Sequence, residues 1–118
     1  MAHSQFQIIW SAPAKQDFER IITQIAEIAP LTAARFGERM MSAINSLRWR
    51  PKRFPTLYET PVCRYLLFKK YRVAFRIDEK RRVVYVVVIL FPHQQSDLLH
   101  LDKTVIACER ERQYIPPV

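Results

Sequence analysis

Residues 62–93 read VCRYLLFKKYRVAFRIDEKRRVVYVVVILFPH, and this stretch decides the fold. It contains three strand-like runs, at 62–68, 71–77 and 83–90, separated by Lys69-Lys70 and by Asp78-Glu79-Lys80-Arg81. Turns this short join neighbouring antiparallel strands, so the runs predict a meander. In the middle run Tyr71, Val73, Phe75 and Ile77 alternate with Arg72, Ala74 and Arg76. That period of two predicts a strand with one apolar and one basic face. The last run is apolar throughout, as in a central strand covered on both sides.

Upstream of the meander the period changes. Phe6, Ile8 and Trp10 alternate in a first strand over 6–10. Ser11 is suited to cap a helix, and Pro13 falls in the first turn, where a missing N–H costs little. Ala14, Phe18, Ile21, Ile22, Ile25 and Ile28 then recur at helical spacing, and Pro30 is expected to stop that helix. Thr32 is expected to cap a second helix with Ala33, Phe36, Met40, Ile44 and Leu47 as its apolar stripe. The short connection implies an antiparallel hairpin. Gly37, the only glycine, lies inside the second helix, where it costs about 1 kcal/mol against alanine; close approach of the first helix is the expected reason. Pro51, Pro55 and Pro61 mark an irregular segment over 50–61, and Trp10 and Trp49 read as core residues. Beyond Ser96 a short helix with Leu98, Leu101, Val105 and Ile106 is expected, then a loose end.

The fold class is therefore α+β: an N-terminal strand, an antiparallel helical hairpin, a three-stranded antiparallel meander, and a C-terminal tail or short helix. Residues 1–97 form the expected main domain, and 98–118 an extension packed on it or trailing from it. At 118 residues, 49% hydrophobic and 25% charged, the chain has the composition of one globular domain. No apolar run is long enough to span a bilayer, and residues 1–11 lack the basic start and apolar core of a secretion signal. A cytoplasmic protein without membrane partners is expected. Cys63 and Cys108 read as free buried thiols, and His3, His93 and His100 are scattered, so no metal or other cofactor is expected.

The formal charge of +8 is concentrated. Residues 48–82 hold twelve lysines and arginines against Glu59, Asp78 and Glu79, leaving +9 on that third of the chain. A field of this size attracts polyanions or acidic protein segments. The candidate partner or nucleic-acid binding residues are Arg64, Lys69, Lys70, Arg72, Arg76, Arg81 and Arg82. A solvated basic strand face explains Arg72 and Arg76 equally well, and Arg64 has a structural alternative in pairing with Glu59 or Asp97.

The order strand, helix, helix, three strands resembles the ParE/RelE toxin superfamily of type II toxin–antitoxin pairs. The resemblance runs over residues 6–97, through IIWSAPAKQDFERIITQIAE, AARFGERMMSAINSLRWRP, VCRYLLFKKYRVAFRI and VVYVVVILFPH. It implies a cognate acidic antitoxin whose segment wraps the toxin, binding as a helix or an added strand. In the mRNA-cleaving RelE branch, the resemblance places Arg72 on the scissile phosphate and His93 as acid or charge stabiliser. Arginine suits the phosphate through its fork, and histidine the acid through its pKa near neutrality. Gln94, Gln95, Ser96 and Asp97 stand where that branch often has a further arginine and a tyrosine, and no general base is evident. Tyr65 and Tyr71 read as sheet residues. The ParE branch poisons DNA gyrase, carries a long helical hairpin and has an arginine at the position of Arg64. Three readings follow: a ParE-like gyrase poison that stabilises plasmids and inhibits growth, a ribosome-dependent mRNA endonuclease using Arg72 and His93, and an inactive toxin-fold binding module. The first is preferred, because the hairpin is long and the catalytic set thin.

Overall fold

The computed structural model describes residues 5–58 and 60–91. Its elements are β1 (Gln7–Trp10), α1 (Ala12–Ala26), α2 (Pro30–Asn45), β2 (Arg64–Phe68), β3 (Tyr71–Asp78) and β4 (Val83–Leu90). Two 3₁₀ turns, Ser46–Arg48 and Pro51–Arg53, lead from α2 toward the meander. This is the expected α+β order. The expected helix after Ser96, the extension 98–118, and His93, His100 and Cys108 lie outside the described residues.

The strands lie in the order β1-β4-β3-β2. Both meander contacts are antiparallel, whereas β1 runs parallel to β4, with Gln7 opposite Val83 and Trp10 opposite Val86. β4 is thus internal and every one of its residues is buried, matching its unbroken apolar sequence. Its side chains change phase midway. Val84, Val86, Ile89 and Phe91 join the helix-side core, while Val83, Tyr85, Val87, Val88 and Leu90 join a cluster on the other face. The shift occurs where Phe75 pairs with Val86 but Ala74 pairs with Val88, leaving Val87 as the extra residue of a bulge.

Ile21, Met40, Ile44 and Leu47 are fully buried against Val73, Phe75 and Val86 of the sheet, with Phe18, Ile25 and Phe36 packed around them. A Cβ built on Gly37 would sit 3.3 Å from the Ile22 terminal methyl, so the second helix does approach the first closely here. Other expectations are corrected. α1 ends at Ala26, and Ile28 in the connection is 89% exposed rather than part of the core. Pro30 opens α2 instead of stopping α1, at a position where its missing N–H has no helical acceptor in any case. Ala29 therefore occupies the cap position without a side-chain hydrogen bond, and Thr32 is already helical. Trp10 is half-buried edge-on to Phe18, but Trp49 is 45% exposed and not a core residue.

The sheet face turned away from the helices is not uniformly basic. Leu57, Cys63 and Ala74 build a second apolar cluster there with β4. The proline-marked segment makes this possible by folding back along β2: Leu57 N donates to Cys63 O (2.9 Å) and Tyr65 N to Pro55 O (3.0 Å). Both Leu57 and Cys63 end fully buried.

β1 is too short to accompany β4 along its length, and α1 takes over. Ser11 N donates to Val86 O (2.9 Å), and Ser11 Oγ donates to Val87 O (2.6 Å) while accepting from Ala14 N (3.1 Å). Further along, Ile89 N donates to Asp17 Oδ2 at 3.1 Å. Two α1-proximal side chains therefore take the place of a strand beside residues 87–89, satisfying backbone groups that would otherwise be buried without partners. No described helix is long and apolar enough to cross a membrane.

Candidate functional surface

The seven basic residues singled out in the sequence do not form one surface. Arg64 pairs in register with Phe75, whose side chain lies in the helix-side core, so it shares that face. Its Nη1 donates to Phe54 O (2.6 Å) and Lys52 O (3.2 Å). These bonds bind the start of β2 to the 3₁₀ turn, so in the described structure Arg64 is a backbone clamp rather than a neighbour of Arg72.

Arg72 points to the opposite face, between Leu67 on β2 and Leu90 on β4, with its guanidinium 6.0 Å from the Tyr65 ring centroid. Lys69 and Lys70 form the adjoining β2–β3 turn and are exposed. Lys69 sits in the left-handed region (φ 56°), where a glycine would be unstrained. Arg72 stands opposite Leu90; His93, its expected partner in the RelE-type reading, is outside the described residues. Tyr71 is buried against Phe36 and Phe91, a core position of the sheet. Arg76, half-buried, stands opposite Tyr85 near mid-sheet.

Arg81 and Arg82 occupy the other end, in the β3–β4 turn, where Arg81 N donates to Asp78 Oδ1 (3.2 Å). Val83 and Leu90 are seven residues apart on β4, so the two ends are separated by about 23 Å. The basic charge is bipolar. At the Arg82 end the structure adds three residues that the sequence-based set lacked: Arg50, Lys52 and Arg53. With Arg82, Phe6, Pro51 and Glu79 they line an open cleft of about 460 Å³.

The geometry of that cleft is built by strained backbone. Arg50 has φ 48° and ψ 57°, and Arg82 has φ 57°. Such left-handed conformations cost an L-residue about 1–2 kcal/mol, and a residue before proline, as Arg50 is, is ordinarily extended. The Arg82 guanidinium lies 4.1 Å over the Phe6 ring, and Arg53 lies 4.4 Å over Phe54 while donating to Trp49 O and Arg50 O. Lys52 Nζ meets Glu79 Oε2 at 2.6 Å across the cleft, both side chains well exposed. Left-handed backbone at arginine has no signature in a single sequence, and proximity of 50–53 to 82 depends on the β1–β4 pairing. Only the density of charge over 48–82 hinted at it. Among the described residues no group of three His, Cys, Asp or Glu side chains is placed to hold a metal ion.

Three comparisons bear on this arrangement. A family model described as ParE toxin of type II toxin-antitoxin system, parDE, matches residues 8–98. The fold superposes on a solved chromosomal ParDE toxin–antitoxin system from P. aeruginosa with TM-score 0.64 and 16% identity, covering 73% of this chain and 95% of that one. It also superposes on the toxin–antitoxin complex RelBE2 from Mycobacterium tuberculosis with TM-score 0.52 and 18% identity, covering 74% of this chain and 91% of that one. No curated protein sequence gives a significant match.

Proposed function

The chain belongs to the ParE toxin family of type II toxin–antitoxin systems, and from that membership we propose that it inhibits growth by acting on DNA gyrase, without cleaving nucleic acid, and is neutralised by a cognate acidic antitoxin. The family match over residues 8–98 carries this reading. Its near-coincidence with the expected 1–97 domain supports treating 98–118 as an extension of the toxin domain. The neighbouring solved structures are toxin–antitoxin assemblies, which supports a protein antitoxin as the natural partner. Lys69, Lys70, Arg72 and Arg76 are the residues on which we place its acidic segment, with Arg81 and Arg82 open to a second contact. The fold-back covers the β2 edge only as far as Tyr65, so the end of β2 with Leu67 exposed offers a place for an added strand.

One observation favours the alternative, ribosome-dependent mRNA cleavage: Arg72 is set at the sheet end from which residue 93 follows. The two readings separate on induction of the chain in bacteria. Growth arrest with a DNA damage response and intact transcripts is the expected result, and it persists in His93→Gln. Rapid transcript cleavage that is lost in Arg72→Ala and His93→Gln would establish the nuclease. Unimpaired growth with a folded, soluble chain would identify an inactive toxin-fold module and refute both.

A further inference from the structure

The cleft at the Arg82 end is set apart from the Arg72 end by most of the length of the sheet. Among the described residues four cations face it, from Arg50, Lys52, Arg53 and Arg82, against the single carboxylate of Glu79. Two of the three left-handed non-glycine residues among those described line it. Glycine adopts that backbone without steric cost, so an arginine there is retained for its side chain. For Arg82 a packing role is visible over Phe6. For Arg50 none is: the side chain is exposed, and among the described residues no hydrogen bond or ion pair engages its guanidinium. The residue before it, Trp49, exposes its indole at the same corner of the molecule.

We propose that this cleft binds the phosphate backbone of single-stranded nucleic acid, with Trp49 as the platform on which a base stacks. Guanidinium forks match phosphate oxygens two at a time. The Lys52–Glu79 pair is exposed and therefore weakly held, so Lys52 exchanges its carboxylate for a phosphate at little cost. A run of Asp and Glu would satisfy the same cations but offers the indole no aromatic face, whereas every base has one. The site is independent of whether gyrase or the ribosome is the target, and it is tested by binding rather than by growth.

The test is fluorescence anisotropy of a short labelled oligothymidylate with the full chain across a salt series. Binding is expected to weaken with log–log slope of about −2 to −3, as for three or four neutralised phosphates on a single strand. Arg50→Gly is expected to lower affinity about tenfold and flatten the slope by about 0.7, while its urea midpoint holds or rises because the backbone strain is relieved. That opposition of binding and stability cannot come from a structural role. Trp49→Ala is expected to weaken binding about five- to a hundredfold. Lys15→Ala, which removes one positive charge from α1 outside the cleft, is the charge control and leaves affinity unchanged. Wild-type affinity in both Arg50→Gly and Trp49→Ala would overturn the proposal. So would competition by poly-glutamate as effective as by oligothymidylate at equal charge, which assigns the cleft to an acidic protein. Displacement by inorganic phosphate or a mononucleotide at equal phosphate concentration would make it a free-phosphate site instead.

Discussion

Replacing Ser11 by alanine removes two functions held by one hydroxyl. Ser11 Oγ caps α1 by accepting from Ala14 N and donates to Val87 O at 2.6 Å, in a residue only 3% exposed. Loss of the cap costs about 1 kcal/mol. Val87 O, beside the bulge and beyond the last residue of β1, is then left without that donor in a buried setting, at about 1–3 kcal/mol. The sum, about 2–4 kcal/mol, is a large part of the stability of a domain this size. Urea denaturation followed by tryptophan fluorescence reads it directly, and thermal unfolding should show a drop of roughly 4 °C or more per kcal/mol. Ser11→Gly separates the terms, since glycine keeps most of the capping free energy while deleting the donor. Alanine and glycine should therefore both be strongly destabilised, with glycine retaining the smaller, cap-related share. A Ser11→Ala loss below about 1 kcal/mol would refute the claim that the hydroxyl stands in for a strand.

Asp17→Ala should cost about 1–3 kcal/mol, because Ile89 N loses its carboxylate acceptor; native-state hydrogen exchange at Ile89 should accelerate while the amides paired with β3 stay protected. Lys69→Gly should hold stability or raise it by up to about 1 kcal/mol by relieving the left-handed residue in the β2–β3 turn, and a lower urea midpoint would count against that strain. Gly37→Ala should fall within about 0.5 kcal/mol of the parent, helix propensity offsetting the 3.3 Å approach to Ile22, whereas Gly37→Val should lose about 1–3 kcal/mol in the same denaturation assay. Arg64→Met should lower stability by about 1–2 kcal/mol through two carbonyls that lose their donor, with the melting temperature as readout.

The meander and the hairpin were legible in the sequence because each carries a period set by its own local geometry: two for Tyr71 to Ile77, three to four along Phe18, Ile21 and Ile25. Helix boundaries near 27–32 were misplaced because proline serves two purposes, stopping a helix or starting one, and only the loop length decides between them. Pro30 started α2 here. The site was harder to read. Alternation put Arg72 and Arg76 on one face as expected, but Arg64 fell on the other, because pairing with Phe75 fixes its side, and that register is a tertiary fact. Ala74 looked like part of a basic face, yet its small side chain admits Val88 and the fold-back of Leu57 and Cys63. Arg50, Lys52 and Arg53 are legible only as charge, since their convergence on Arg82 rests on the pairing of β1 with β4 and of Phe6 with Arg48, contacts between distant parts of the chain.

The parallel partnership of β1 with β4 also sets a timetable for biosynthesis. Ser11 and its acceptor Val87 are 76 residues apart in the chain, so at ribosomal speeds of about 5–20 residues per second the first strand waits some 4–15 s for its partner to be made. During that interval the helical hairpin can form locally while its apolar stripe has no sheet to cover. The nascent chain is thus exposed to chaperones and to a pre-existing antitoxin before β4 arrives, and a partner that binds the hairpin can intercept this protein before its sheet has closed.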